Sequence, residues 1–172
     1  MTARFEKAYN ALYNAFMNDT LAKGTCAACA VGNIVADAIG GKILFNSSRD
    51  SWECDLENGW WGDMFVTTHS FKQRIVTIKR NPEVKSLRKR IYTLTGYKWN
   101  ELAKVEKAFE KNTEIEYCYY DCYSEKEIKE DQFKGVMAVM DVLIELDDIK
   151  EGEKYKDAFK GVLTKDSSLV TQ

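Results

Sequence analysis

The segment from Ser124 to Leu146, "SEKEIKEDQFKGVMAVMDVLIEL", constrains the fold more than any other part of the chain. Ser124 and Glu127 stand in the capping-box relation, a hydroxyl that accepts an early helical N–H and a carboxylate that reaches back to the cap. Behind them Phe133, Val136, Met137, Met140, Leu143 and Ile144 recur at three- and four-residue spacing. So broad an apolar stripe must be covered by other elements, which makes this segment the expected central core helix.

Candidate partners for that stripe lie along the whole chain. Phe5, Ala8, Tyr9, Leu12 and Phe16 mark an amphipathic first helix, with Glu6, Lys7, Asn10 and Asn14 between them. "NDTLAKG" then reads as a turn, Thr25 as an N-cap, and Cys26 to Ala38 as a second helix stopped by Gly40-Gly41. Asn81-Pro82 opens a third, through Val84, Leu87, Ile91 and Leu94, which ends at Gly96. The next helix turns Leu102, Val105, Ala108 and Phe109 inward, and Glu101, Lys104, Glu106, Lys107 and Lys111 toward water. A short amphipathic piece with Tyr155, Ala158, Phe159 and Val162 follows the central helix, and residues 165–172 read as a flexible tail.

Between Lys42 and Ile78 the helical pattern fails. "KILFN" and "RIVTI" are short β-prone runs, whereas "NSSRDSWECDLENGWWGD" is turn-rich, so a small hairpin or irregular lobe is expected around residues 42–80. The prediction is therefore a mainly α, single-domain bundle of about five to six helices carrying that lobe. At 172 residues one core is sufficient, and no Pro-, Gly- or Ser-rich linker divides the chain.

Charge excludes some functions. Lys+Arg number 25 and Asp+Glu 27, so no global field draws in nucleic acid or an anionic membrane. The concentrated basic stretch, Lys79, Arg80, Lys85, Arg88, Lys89 and Arg90, is better read as a solvated helix face than as a phosphate-binding one. The apolar run Val136 to Ile144 is broken by Asp141 and falls far short of the roughly 20 residues needed to span a bilayer. No apolar signal segment is visible at the N-terminus, so a cytoplasmic protein is expected.

Five cysteines, an odd number, do not read as a disulfide framework. Cys26 and Cys29 form a C-x-x-C pair, and Cys118 and Cys122 lie four apart in "TEIEYCYYDCY". Two such pairs could supply the four thiolates of a structural zinc site, with Cys54 and His69 as further ligand candidates. Two alternatives stay open: buried thiols in a helix of small residues, favoured by Ala27, Ala28, Ala30 and Gly32, or thiol redox chemistry. His69, the sole histidine, has no recognisable nucleophile motif beside it, so no catalytic residue is assigned. Trp60 and Trp61 in "GWWGDMF", together with His69, are candidate binding residues for a protein partner. Asp147-Asp148 reads as a solubilising pair at a helix end.

The strings "ALYNAF", "CAACAVGNIV", "LTGYKWNELAKVEKAFEK", "FKGVMAVMDVLIELDDI" and "YKDAF" together resemble a family of small uncharacterised proteins of Bacteroidetes-type bacteria and their phages. Its most specific element is C-x-x-C-A-V-G-N, here Cys26, Cys29, Ala30, Val31, Gly32 and Asn33. Members often carry a name borrowed from a subunit of a sodium-translocating NADH-quinone reductase. Such a subunit would resemble a membrane-anchored flavoprotein with a ferredoxin-like iron-sulfur domain, and this chain shows neither a spanning segment nor the four-cysteine spacing of that domain. The chain departs from the family pattern between Lys42 and Ile78, and at Lys98, where a capping Ser is usual. The expectation is a small helical binding or regulatory protein, possible zinc included. Its alternatives are a thiol or iron-sulfur redox protein and a phage virion or accessory component.

Overall fold

A computed structural model describes residues 2–25, 27–55 and 82–169, the side chains of 82–87 and 165–169 excepted. In chain order the elements are α1 (Ala3–Met17), α2 (Ala30–Ala38), β1 (Ile43–Asn46), β2 (Ser51–Cys54), α3 (Pro82–Thr95), α4 (Trp99–Asn112), a 3-10 segment (Tyr117–Cys122), α5 (Glu125–Leu146) and α6 (Glu153–Leu169). The chain is mainly helical, as its periodicity predicts, with one small antiparallel hairpin.

The central helix forms as expected. Ser124 Oγ accepts the Glu127 N–H at 3.2 Å, and the Glu127 carboxylate accepts the Ser124 N–H at 2.8 Å, which opens α5. Val136, Val139, Met140 and Leu143 are fully buried against the other helices. Gly135 lets α4 come close: a Cβ there would stand 2.5 Å from Thr113 Cγ2 and 2.8 Å from a ring carbon of Phe109. Along α4 the buried set is Trp99, Leu102, Val105, Glu106 and Phe109. Glu106 thus lies inward, contrary to its assignment to the water face, because 102, 105, 106 and 109 are the i, i+3, i+4, i+7 positions of one stripe.

Helices α1 and α6 meet through aromatic rings. Tyr155 packs edge-on against both Phe5 and Tyr9 at 5.0 Å, and Phe159 does so against Tyr13 at 5.5 Å and Phe16 at 5.7 Å. Helix α6 runs on to Leu169, so regular backbone enters the stretch expected to be a tail.

Two local expectations are corrected. Helix α2 begins at Ala30, not near Thr25, and Cys29 is its N-cap, with Sγ accepting the Gly32 N–H at 3.4 Å. The strand partner of "ILFN" is "SWEC", a segment whose polar composition reads as turn; Phe45 faces Trp52 across the pair with rings 5.3 Å apart. "RIVTI" lies outside the described residues.

Helix C-termini are closed by cations from elsewhere in the chain. Lys129 of α5 donates to the Phe16 carbonyl at the end of α1, and Lys23 donates to the carbonyls of Glu110 and Thr113 at the end of α4. Arg4 donates to Leu146 O at the end of α5 at 3.3 Å and to Gly96 O, just past α3, at 3.0 Å. The last carbonyls of a helix lack intrahelical donors and carry its negative pole, so each contact satisfies an acceptor and places charge favourably.

Candidate functional site

The two cysteine-bearing segments meet at one end of the bundle. The α1–α2 loop and the strand-like entry to the 3-10 segment pair through a parallel bridge between Lys23 and Glu116, where the Tyr117 N–H donates to Lys23 O at 3.1 Å. Asp131, buried on α5, accepts the Glu114 N–H with both oxygens and the Ile115 N–H with one, all at 3.0 Å. Next to it, Gln132 Nε2 donates to Leu21 O at 2.7 Å and to Tyr120 Oη at 3.3 Å. One turn of α5 therefore holds both loops.

Asn33 organises the other side. Its Nδ2 donates to the carbonyls of Thr20, Ala28 and Cys29 at 2.9, 3.0 and 3.1 Å, and its Oδ1 accepts from Thr20 Oγ1 at 3.0 Å. A buried amide with that many partners closes the loop into a fixed shape. This explains the late start of α2, because the carbonyls that Asn33 gathers belong to residues preceding the helix.

Cys29 is buried in the core at 1% exposure, whereas Cys118 and Cys122 are exposed. Cys54 is half-buried on β2. Cys26, Trp60, Trp61 and His69 lie outside the described residues. Among the described residues no group of three or more His, Cys, Asp or Glu side chains is placed to hold a metal ion. The structure thus joins the two segments through their backbones without bringing Cys29 to Cys118 and Cys122.

The 3-10 winding decides how the residues of the second segment are distributed. With three residues per turn, positions three apart share a face. Tyr117 and Tyr120 accordingly share the half-buried face, and Tyr120 Oη donates to Leu21 O at 3.4 Å. Burial raises the Tyr120 phenol, with the hydrogen bond from Gln132 opposing. Tyr119 shares the next face with Cys122, and Cys118 shares the third with Asp121. The four-residue spacing of Cys118 and Cys122 would align them on an α-helix, but it separates them here. Tyr119 is 58% exposed and Tyr123 46%.

Acidic residues flank these tyrosines along the chain. Glu114, Glu116, Asp121, Glu125 and Glu127 are all exposed. Behind them burial pushes the Glu110 carboxyl up, while Lys23 and the Gly24 N–H pull it down. The basic stretch of α3 is differently placed: Lys89 and Arg90 are exposed, but the Arg88 guanidinium lies over the Trp99 ring at 5.8 Å. Arg88 therefore does not join its neighbours in a single outward cationic face.

A second polar cluster sits where α1, α4 and α5 meet. Asp147 accepts from Thr2 Oγ1 at 2.6 Å, Arg4 Nε at 2.8 Å and Tyr97 Oη at 2.7 Å. Arg4 also lies over the Tyr97 ring at 4.4 Å. Burial would raise the Asp147 carboxyl, but hydrogen bonds from Thr2, Arg4 and Tyr97 outweigh it and hold the group below the ordinary range. Burial and the bond to Asp147 push the Tyr97 phenol upward. Asp147 is thus no solubilising residue, its side chain being 1% exposed. With donors and acceptors matched inside the protein, this cluster is structural.

Among the described residues no helix is long and apolar enough to cross a membrane. No family model, curated protein or solved structure matches the chain.

Proposed function

We propose that the chain is a small helical binding or regulatory protein that recognises a protein partner through the exposed surface of its 3-10 segment and the extended residue after it, Tyr119 and Tyr123 being the anchors. The observation that supports this reading is a pair of exposed tyrosines on a segment held from behind by Asp131, which accepts the Glu114 and Ile115 N–H groups, and by Gln132, which donates to Tyr120 Oη. Exposed polar-tipped rings on a preformed backbone lose little conformational freedom on binding and bury much area, which is how interface anchors work. The resemblance of the C-x-x-C-A-V-G-N segment adds the proposal that the protein acts in a bacterial cytoplasm or, if phage-encoded, in the host cytoplasm or the virion. Zinc and thiol redox chemistry are not needed for this reading, which assigns Cys29 to the core.

A photoreactive phenylalanine analogue at position 119 tests it in the native cell. Tyr92 on α3, 49% exposed, is the matched control. Cross-links to a partner from position 119 and not from position 92 are expected. Equal cross-linking at both positions, or none at either, overturns the proposal.

A further inference from the structure

We infer that the partner docked on this surface presents a lysine- or arginine-rich segment, an inference that rests on the binding reading above. Residues 114–127 carry five carboxylates and one lysine, whereas the whole chain carries a net charge of −2. The acidity is therefore concentrated around the exposed tyrosines and offset elsewhere.

Most of that charge is uncommitted. Glu127 is used in the α5 cap, Glu116 accepts from Cys118 Sγ at 3.8 Å, and Lys126 reaches Glu130 at 3.9 Å. Glu114, Asp121 and Glu125 form no ion pair among the described residues. Lys23 and Lys129 are committed elsewhere, donating to helix-end carbonyls. An approaching cation thus meets three carboxylates, Glu114, Asp121 and Glu125, that no cation of the described residues pairs with, and an open tyrosine ring offers it a face as well. A polyanion such as nucleic acid would be repelled by the same field.

Selection from a library of short random peptides, run against the folded full chain and counter-selected on the Tyr119→Ala protein, tests the inference. The side chain at 119 is exposed, so the substitution leaves the fold intact. Selected peptides are expected to be rich in lysine and arginine, to weaken about tenfold on Tyr119→Ala, and to lose affinity with added salt. Asp121→Asn should weaken them about threefold and flatten the salt dependence. Neutral or acidic peptides that still depend on Tyr119 overturn this inference and leave the binding reading standing. A selection that yields no Tyr119-dependent peptide overturns both.

Discussion

The Arg4 guanidinium and the Asp147 carboxylate, 143 positions apart in the chain, meet at 2.8 Å and tie the first helix to the end of the central one. The same carboxylate takes the hydroxyls of Thr2 and Tyr97, so one acceptor group ties α1, the turn between α3 and α4, and the end of α5 together. Removing its charge leaves the buried Tyr97 hydroxyl and the half-buried Arg4 guanidinium without a strong acceptor. Asp147→Asn should therefore cost about 3 kcal/mol near neutral pH, measured by urea unfolding.

The pH dependence has a defined sign. Asp147 is held below the ordinary carboxylate value of about 3.9, so its stabilisation is present above that pH and lost as pH falls through the lowered folded value. Tyr97 is raised above its ordinary value of about 10, so its contribution is present below that pH and lost as pH rises further. The gap in unfolding free energy between wild type and Asp147→Asn should narrow in acid. Tyr97→Phe should blunt the loss of stability in alkali. A gap independent of pH would show that the carboxylate's charge is not what stabilises the junction.

Asn33 yields a test of the loop that carries the C-x-x-C pair. Asn33→Ala removes four hydrogen bonds; the carbonyls of Ala28 and Cys29 keep the N–H groups of Ala22 and Asn33, but that of Thr20 loses its amide donor, at a cost of about 2 kcal/mol. Asn33→Asp should be worse, because a carboxylate would then face three carbonyl oxygens. Amide exchange at Ala22, whose N–H donates to Ala28 O at 2.8 Å, should accelerate with the loss of the clamp. Unchanged exchange there would show that the loop holds its shape without Asn33.

What the sequence displayed and what it concealed follow from range. The capping box of Ser124 and Glu127 and the stripe from Phe133 to Ile144 are local patterns, and both are present in the structure as read. The C-terminal caps are not local: neither α1 nor α5 has a basic residue in its last turn, and Lys129 and Arg4 come from other elements. Asp147 read as a surface charge for the same reason, since its three donors lie at positions 2, 4 and 97. The 3-10 segment is an intermediate case. Tyr117 and Tyr120 stand three apart and share its half-buried face, a spacing that a search for 3.6-residue stripes passes over. The strand "SWEC" has four residues and a polar composition, so only its pairing with "ILFN" identifies it.

At Gly135 the absence of a Cβ lets α5 come close to the end of α4. An added Cβ would meet Thr113 Cγ2 at 2.5 Å and Phe109 ring carbons at 2.8 and 2.9 Å, all in a packed interior. Gly135→Ala would gain helix propensity of somewhat under 1 kcal/mol and lose about 1–3 kcal/mol to overpacking, so net destabilisation is expected. Thr113→Ser removes the nearest methyl and should recover part of the loss in the double mutant, a coupling that thermal unfolding of all four proteins would reveal. Additivity of the two substitutions would show that the contact is relieved by movement of the helices instead.

Thiol accessibility distinguishes the buried cysteine from the exposed pair. Cys118 and Cys122 lie on the open faces of the 3-10 segment, whereas Cys29 caps α2 from within the core. An aromatic disulfide reagent added to the native protein should modify Cys118 and Cys122 at rates near those of a small thiol, and Cys29 at a rate set by unfolding. Mass spectrometry after a short pulse reads the sites separately. Because 3-10 winding places Cys118 and Cys122 on different faces, mild oxidation should leave them as separate thiols or mixed adducts, not as a mutual disulfide, unless the segment rewinds. Rapid modification of Cys29 in the folded state would show that the C-x-x-C loop opens on its own, and would return that pair to the list of reactive sites.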